Sequence, residues 1–372
     1  MNFTKLLIST FSTSSSSSPT RTSHFLANYL MKNFNFSEPR ALSASKRFWW
    51  AKNPDNIETV VTLLKQHGFS DAHIESTVKT TPQILFAKIN KTLIPKLKFF
   101  QENLGLRDSD LGLFLSKNAT LFTQSLERKL IPNTEILLKI LSGDRKALIW
   151  IIGKCKWILY KFPKSSLLVN IGLLEKYGIV GSQLSMIVKS RPILLVLEES
   201  KLCDLCREVE RMGFSSKSRM FVHGLLTLSC MSSETIRNKL EVFQSFGYSK
   251  EECVGMFRKA PGMPRVSVEK LRLGLEFFLK GIGFERDVLL RMPRLLMYSM
   301  EKRVIPRYFV LEILKSKKLL KRNTSFVNVI QLSEDEFLDK YISKYRDNAE
   351  ELLIAYKGGL ANVDTSEESD RE

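Results

Sequence analysis

The first 37 residues of this 372-residue chain contain no aspartate or glutamate, which sets them apart from the rest. They carry three basic residues and a run rich in serine and threonine over positions 9–22. This acid-poor, Ser-rich composition is typical of an organelle import leader, and the apolar run at 6–8 is too short for a secretory signal. We predict that residues 1–50 are a disordered transit peptide for the mitochondrion, with the chloroplast as the alternative.

Long apolar runs and strand-like alternation are also lacking. No run approaches the roughly 20 apolar residues that span a bilayer, so we expect no membrane partner. Five scattered cysteines, an odd number, argue against a disulfide framework and favour a reducing compartment. Because alternation of apolar and polar residues is almost absent, we predict an all-α protein.

The residue patterns of common catalytic and metal sites are missing as well. The four histidines form no HExxH spacing, and no glycine-rich loop ends in Gly-Lys-Ser/Thr. Cys203 and Cys206 form one pair, whereas a structural zinc site needs two more ligands, so we interpret them as ordinary buried cysteines. We therefore predict no enzyme activity, no metal and no cofactor.

Positive charge is abundant and unevenly distributed. Fifty-seven basic and 39 acidic residues give a net charge of +18. Residues 331–372 hold 12 acids and 5 bases, a net of −7, so residues 1–330 carry +25. The first 52 residues hold 7 bases and 1 acid, which leaves +19 on residues 53–330. The charge is therefore not explained by the leader, and it favours an anionic partner, most commonly nucleic acid.

A similar segment returns every 32–38 residues along the body of the chain. Each copy has an apolar stretch, usually a proline, bulky apolar residues, a polar break and an amphipathic helix that ends near glycine. A repeated helical unit cannot bury its apolar face alone, so its neighbours must stack into a solenoid. We predict seven to eight units over residues 55–330, then a C-terminal helix and an acidic disordered tail within 331–372. The equivalent anchor positions are Pro82, Ala119, Trp157, Pro192, Leu228, Pro261 and Pro293.

Local signals divide each unit into two helices. In the first unit an apolar stripe over 57–64 leads to Gly68 as a left-handed cap, Ser70 starts a second helix, and Pro82 stops it. Serines followed by an acid predict N-caps in later units; they are Ser125, Ser233, Ser267 and Ser299. Prolines recur near the first helical turn, where a missing N–H matters least; they are Pro95, Pro132 and Pro306.

Three strings carry a family resemblance: Leu-Ile-Pro-Lys-Leu-Lys-Phe-Phe at 93–100, Ser-Leu-Glu-Arg-Lys-Leu-Ile-Pro at 125–132, and Met-Pro-Arg-Leu-Leu at 292–296 with Ile-Pro-Arg at 305–307. They resemble the mitochondrial transcription termination factor (mTERF) family over roughly residues 55–330. The chain looks like a plant organellar member of that family. The resemblance implies repeats of two α-helices and a short 3₁₀ turn, stacked into a curved left-handed superhelix whose basic concave path binds nucleic acid. It also implies a role in organelle gene expression and no enzymatic activity.

Basic residues recur beside the anchors and are the candidate binding residues, because each phosphate neutralised by Lys or Arg releases counterions. Any one of them alone could be part of a solvated helix face, so the argument rests on the set. Aromatic residues at 157, 160, 162, 257, 298 and 308 lie between the bases, and we expect most of them to be core. The candidates are Lys96, Arg128, Lys129, Lys154, Lys156, Lys161, Lys164, Arg191, Arg258, Lys259, Arg265, Arg294, Arg303 and Arg307.

Three functions follow as hypotheses. The first is binding of double-stranded DNA by a monomer that regulates transcription termination, together with organellar transcription or splicing proteins. The second is RNA binding in organellar intron splicing or ribosome assembly, which a Lys-lined groove does not distinguish from the first. The third is a protein-interaction scaffold, which predicts no salt-sensitive binding of nucleic acid.

Overall fold

A computed structural model of the protein describes residues 22–48, 55–161, 164–216, 218–320 and 324–364. The chain divides into two compact units, Met1–Val169 and Asn170–Glu372. All regular structure in the described ranges is helical, which confirms the predicted all-α class. The recurring motif is a pair of α-helices followed by a short 3₁₀ helix, as expected of a helical-repeat solenoid.

The α-helices of the first unit are α1 (Thr22–Phe34), α2 (Glu38–Arg47), α3 (Asp55–Gln66), α4 (Asp71–Thr80), α5 (Ile94–Leu104), α6 (Asp108–Lys117), α7 (Ile131–Ile140) and α8 (Arg145–Cys155). Helix α9 (Lys164–Lys176) begins in the first unit and ends in the second. The second unit continues with α10 (Ser182–Ser190), α11 (Glu199–Arg211), α12 (Arg219–Leu228), α13 (Ser233–Ser245), α14 (Lys250–Lys259), α15 (Val268–Leu275), α16 (Arg286–Arg291), α17 (Ile305–Ser316), α18 (Phe326–Gln331), α19 (Glu334–Leu338) and α20 (Ala349–Asp364).

Short 3₁₀ helices follow the second helix of most pairs. They span Pro82–Phe86, Ala119–Thr123, Lys156–Leu159, Pro192–Val196, Met263–Arg265 and Pro293–Met297. The anchor at 119 begins a 3₁₀ turn and the anchor at 157 is the second residue of one, both without a proline, and the apolar residues that follow them are buried. The anchor at 228 differs: α12 ends there, and in the described chain α13 follows without an intervening 3₁₀ helix.

The first pair shows how sequence dictates the unit. Helix α3 buries its apolar stripe, and Gly68 has a φ of +84°, as predicted for a left-handed cap. A Cβ on Gly68 would lie 2.0 Å from the backbone carbonyl carbon of Asp108, so only glycine fits between the two loops. The Ser70 hydroxyl accepts from the N–H of His73 and starts α4.

Three π-helical turns precede the prolines near the helix starts. These turns span Ile89–Leu93, Leu126–Leu130 and Met300–Val304, and Pro95, Pro132 and Pro306 are the second residues of the α-helices that follow. A proline lacks the N–H of the i→i−4 bond and its ring crowds the preceding turn, which a widened π turn accommodates.

The predicted serine caps are confirmed with one correction. The hydroxyls of Ser125, Ser267 and Ser299 accept from the backbone three residues on. At α13 the cap is Ser232, whose hydroxyl accepts from the N–H of Thr235, and the predicted Ser233 is the first helical residue instead.

The N-terminal boundary differs from the predicted one. Helices α1 and α2 pack on each other and α1 contacts α4, with Leu26, Leu30 and Ala41 buried. The Arg40 guanidinium also donates to the carbonyl of Lys79 at the end of α4. The prediction that residues 1–50 are disordered is therefore wrong for residues 22–48. Residues 1–21 lie outside the described ranges, and import by a leader stays a prediction.

The C-terminal segment packs on the last pair. Helix α20 contacts α17, and Val310, Leu314, Phe337, Leu352 and Tyr356 form a buried cluster between them. A C-terminal helix was predicted within 331–372; the predicted disordered tail after residue 364 lies outside the described residues. None of the helices in the described part of the chain is both long and apolar enough to cross a membrane.

Candidate nucleic-acid interface

The second helix of nearly every pair carries a basic residue in its last turn. Three pairs of successive second helices contact each other, namely α4 with α6, α10 with α12, and α14 with α16. Because equivalent positions of stacked repeats lie side by side, we infer one row of bases in each unit. A cation also suits the negative end of a helix, so the row has a stabilising role in addition. The row comprises Lys79, Lys117 and Lys154 in the first unit, and Lys189, Arg258, Lys259 and Arg291 in the second.

Six of the predicted candidates are at least partly exposed and make no ion pair with any carboxylate in the described ranges. Three lie on or beside the helix pairs of the first unit, one begins α9, one lies in the last turn of α14, and one is the last residue of the 3₁₀ helix Met263–Arg265. Their charges are therefore available to an external anion. They are Arg128, Lys154, Lys156, Lys164, Arg258 and Arg265.

On α11 of the second unit, two carboxylates pair with bases that are not candidates. Asp204 lies 3.1 Å from Arg207, Glu208 lies 3.1 Å from Arg211, and both pairs are exposed on α11. The local acids thus neutralise residues outside the candidate set.

Four further candidates are held by neighbouring repeats. The Arg191 guanidinium donates to the carbonyl of Ser229 at 3.0 Å, and Lys259 donates to the carbonyl of Leu290 at 2.7 Å. Arg294 donates to the Gln331 amide oxygen at 2.5 Å. Arg303 donates to the carbonyl of Leu332 at 2.6 Å and covers the ring of Tyr298. Their charges remain near the surface, but each side chain also joins two segments of the second unit. Of the remaining candidates, Lys129 is half-buried and Lys161 is exposed.

Lys96 is not a surface residue, which corrects its assignment as a binding residue. Its side chain is 5% exposed, and Nζ donates to the carbonyl of Phe122 at 2.5 Å. Burial lowers the pKa of this ammonium. Lys96 therefore joins the first helix of its pair to the 3₁₀ helix at the end of the same pair.

Arg307 is the second correction, because its side chain is fully buried. Its Nη1 donates to the carbonyls of Val329 at 3.0 Å and Leu332 at 2.8 Å, and its Nη2 lies 3.0 Å from Glu334. A side chain this enclosed cannot contact phosphate without local unfolding. Its role is to join α17 to the chain after α18.

Lys96 and Arg307 belong to a set that recurs through the repeats. In each case a polar side chain in or just before the first helix of a pair donates to a backbone carbonyl near the end of that pair, 25–29 residues later in the chain. We call these contacts the helix-to-turn bonds. The other members are Asn56 to Leu85, Asn133 to Leu159, Asn170 to Leu197, Lys239 to Val266, Lys270 to Met297 and, just before α17, Arg303 to Leu332. The sequence analysis did not predict these bonds. The available signal was the recurrent proline, which Lys96, Asn133 and Arg307 each directly follow.

Of the aromatic candidates in the described ranges, Phe257 is buried and the other four are half-buried, so fewer of them are core than expected. Phe257 is buried edge-on against Phe214, and Tyr308 packs against Phe277 and Phe326. Residue 162 lies outside the described ranges. Trp150 was not among the candidates, yet about half of its surface, 49%, is accessible.

No catalytic constellation emerges from the described residues. An apolar cavity of about 340 Å³ lies next to the pair that lacks a 3₁₀ helix and is lined mainly by side chains such as Met212, Met231 and Phe243. Burial raises the pKa of the Cys206 thiol to about 12, which makes it unreactive. Within the described ranges no three His, Cys, Asp or Glu side chains come together as a metal site.

Within the described ranges, the fold and the surface define an all-α repeat protein that presents several at least partly exposed bases without carboxylate partners. The mTERF family pattern matches residues 36–143 and 141–338, so the chain belongs to the mTERF family. The first match begins inside the segment predicted as leader, in agreement with the packing of α2.

Two relatives from Arabidopsis thaliana are similar to this chain. One, transcription termination factor MTERF8, chloroplastic, is 22% identical over 305 residues, covering 82% of this chain and 58% of the relative. The other, transcription termination factor MTERF15, mitochondrial, is 19% identical over 292 residues, covering 78% of this chain and 56% of the relative. The chain thus spans less than two thirds of the length of these relatives.

Proposed function

We propose that the protein binds double-stranded DNA in an organelle through phosphate contacts, acts in transcription termination and has no enzymatic activity. The observation that carries this proposal is the set of exposed bases in repeat register that lack carboxylate partners, with Arg258 and Arg265 as its best-defined members. Stacked repeats present such bases at regular intervals, which suits the regular spacing of phosphates along a nucleic acid. The names of the two relatives support the same role.

Charge removal tests the proposal. We expect the double variant Arg258→Gln/Arg265→Gln to weaken binding of a duplex DNA and to lower the salt dependence of that binding by about two phosphate equivalents. The matched control is Arg207→Gln/Arg211→Gln, which removes two exposed arginines that already pair with acids. Equal losses in both variants would show that overall charge, rather than this set, drives binding.

RNA is the alternative ligand, in intron splicing or ribosome assembly, because phosphates of both nucleic acids attract the same bases. Competition of the bound duplex by a matched RNA duplex and by single-stranded RNA separates the two. Stronger competition by RNA would replace the DNA proposal. Absence of binding to either at low salt would leave a protein scaffold as the function.

The organelle is also part of the proposal. The acid-poor, Ser-rich start of the chain and the organelle names of the relatives support import, and we propose the mitochondrion. A full-length fluorescent fusion tests this, since accumulation in chloroplasts or in the cytosol would contradict it.

A further inference from the structure

Helix α8 carries an exposed tryptophan between two lysines. Lys146, Trp150 and Lys154 are spaced four residues apart, which places them on one face of the helix. The opposite face holds Leu148, Ile151 and Ile152, all buried in the first unit. The packing of α8 is therefore satisfied without the Trp150 ring, and the three side chains face outward.

The Trp150 ring is available for contact. Half of the side chain is exposed, although tryptophan is among the most buried residues on average. Lys154 places its ammonium 4.3 Å from the ring centroid, and Lys146 is exposed one turn before. A Cβ on the neighbouring Gly153 would meet no atom within 4 Å, so the space beside this face is open.

The charge around the ring indicates what would cover it. Helix α8 contains no acid, and bases continue beyond it at Lys156. An apolar protein surface would have to bury two ammonium groups without compensation, which is costly. A nucleic acid brings both a flat aromatic face for the ring and phosphates for the lysines. Stacking on an aromatic side chain needs a base that is not enclosed in a duplex.

We propose that Trp150 stacks an unpaired nucleobase while Lys146 and Lys154 bind the phosphates on either side of it. This inference rests on the proposed function, because the strand must be part of the nucleic acid that the repeats bind. It adds a preference that phosphate contacts cannot supply: a duplex with a single-stranded extension binds more tightly than a blunt duplex.

A tailed duplex tests the inference with the full-length protein. Three probes share one duplex: a blunt form, a form with a single-stranded pyrimidine tail, and a form whose tail has the same phosphates but no bases. We expect the tail bases to strengthen binding about tenfold over the abasic tail. Trp150→Ala removes this gain, and Trp150→Phe keeps part of it. A DNA tail and an RNA tail are compared to identify the preferred strand.

Two controls separate stacking from charge and from folding. Phe309→Ala removes a similarly exposed aromatic, 48% accessible, from α17, and should leave the tail gain intact. Lys154→Gln should lower the salt dependence, whereas Trp150→Ala should not, because stacking releases no counterion.

The outcomes distinguish this inference from the proposed function. Salt-dependent binding of the blunt duplex with equal affinity for both tails would overturn the inference and leave the proposed function standing. An equal loss on all three probes in Trp150→Ala would also overturn it, since the ring would then act independently of unpaired bases. Failure of the wild-type protein to bind any probe would overturn both.

Discussion

Arg307 and Glu334 form an ion pair in which the guanidinium is fully buried and the carboxylate is half exposed, with 3.0 Å between Nη2 and Oε2. The guanidinium also lies over the ring of Phe337 at 4.6 Å, and the other carboxylate oxygen accepts from Tyr356 at 2.6 Å. One residue of α17 is thereby joined to α19 and α20. The pair explains why the C-terminal segment packs on the last repeat.

We predict that Arg307→Met destabilises the protein by about 3 kcal/mol or more, because several buried carbonyls lose their donor. Arg307→Lys should recover only part of the loss, since an ammonium lacks the planar fork that reaches all of these oxygens. Urea denaturation measures both. The folded variants should bind duplex DNA with the same affinity as the wild type. A variant that folds stably but binds DNA more weakly would show that Arg307 is a binding residue after all.

The same pair predicts a pH dependence. Burial raises the pKa of Glu334, but hydrogen bonds from Tyr356 and Arg307 outweigh it and hold the pKa below its usual value. The unfolded chain therefore binds the proton more readily, so this stabilisation is present above about pH 4.3 and is lost as the pH falls through the folded-state pKa.

Glu334→Gln tests that sign. The stability difference between wild type and variant should be largest near pH 7 and should shrink steadily below pH 4, as followed by urea denaturation at each pH. Glu350→Gln, at an exposed acid of α20, serves as the control. A difference that stays constant across the series would mean that the carboxylate charge does not contribute.

Lys96 tests the helix-to-turn bonds. Lys96→Leu should cost about 1–3 kcal/mol, because the carbonyl of Phe122 would remain buried without a donor. Lys96→Asn should cost less, since Asn133 makes the same bond from the equivalent position. Lys98→Leu, on the exposed face of the same helix, should change the free energy of unfolding by about 0.5 kcal/mol or less. Equal effects at 96 and 98 would argue against a structural bond.

Substitution of Gly68 tests the close contact between the first two helix pairs, where Gly68 lies against the backbone of Asp108. Gly68→Ala should destabilise the protein by more than the roughly 1–2 kcal/mol of left-handed backbone strain alone, because its Cβ would overlap Asp108. Gly143→Ala is the matched control, with a φ of +79° and no atom within 4 Å of the added Cβ. Thermal unfolding compares them. Similar losses would mean that the loops separate at little cost.

Much of the fold was predictable because apolar residues recur with the repeat. The 3₁₀ turns at 119 and 157 form without proline, so burial of the following residues is the stronger signal. Helix α1 was missed since its acid-poor composition resembles a leader, although Leu26, Leu30 and Phe34 mark a buried stripe.

The candidate site was less predictable, because charge in a sequence does not reveal burial. Lys96 and Arg307 are basic, as residues of a nucleic-acid interface would be. They occupy the same repeat position as Asn133, however, directly after the proline and facing the chain at the end of the pair. Trp150 was overlooked because tryptophan is usually core. The one signal in the sequence is the pair Lys146 and Lys154, which lie four residues before and after Trp150 and indicate that this face of α8 points to solvent.

The most direct test of the central claim is the affinity of the full-length protein for duplex DNA across a salt series. We predict a fall in log affinity with log salt of slope about −4 or steeper, as expected when about five phosphates are neutralised. A slope shallower than about −1, or no binding at low salt, would contradict phosphate recognition by the exposed bases.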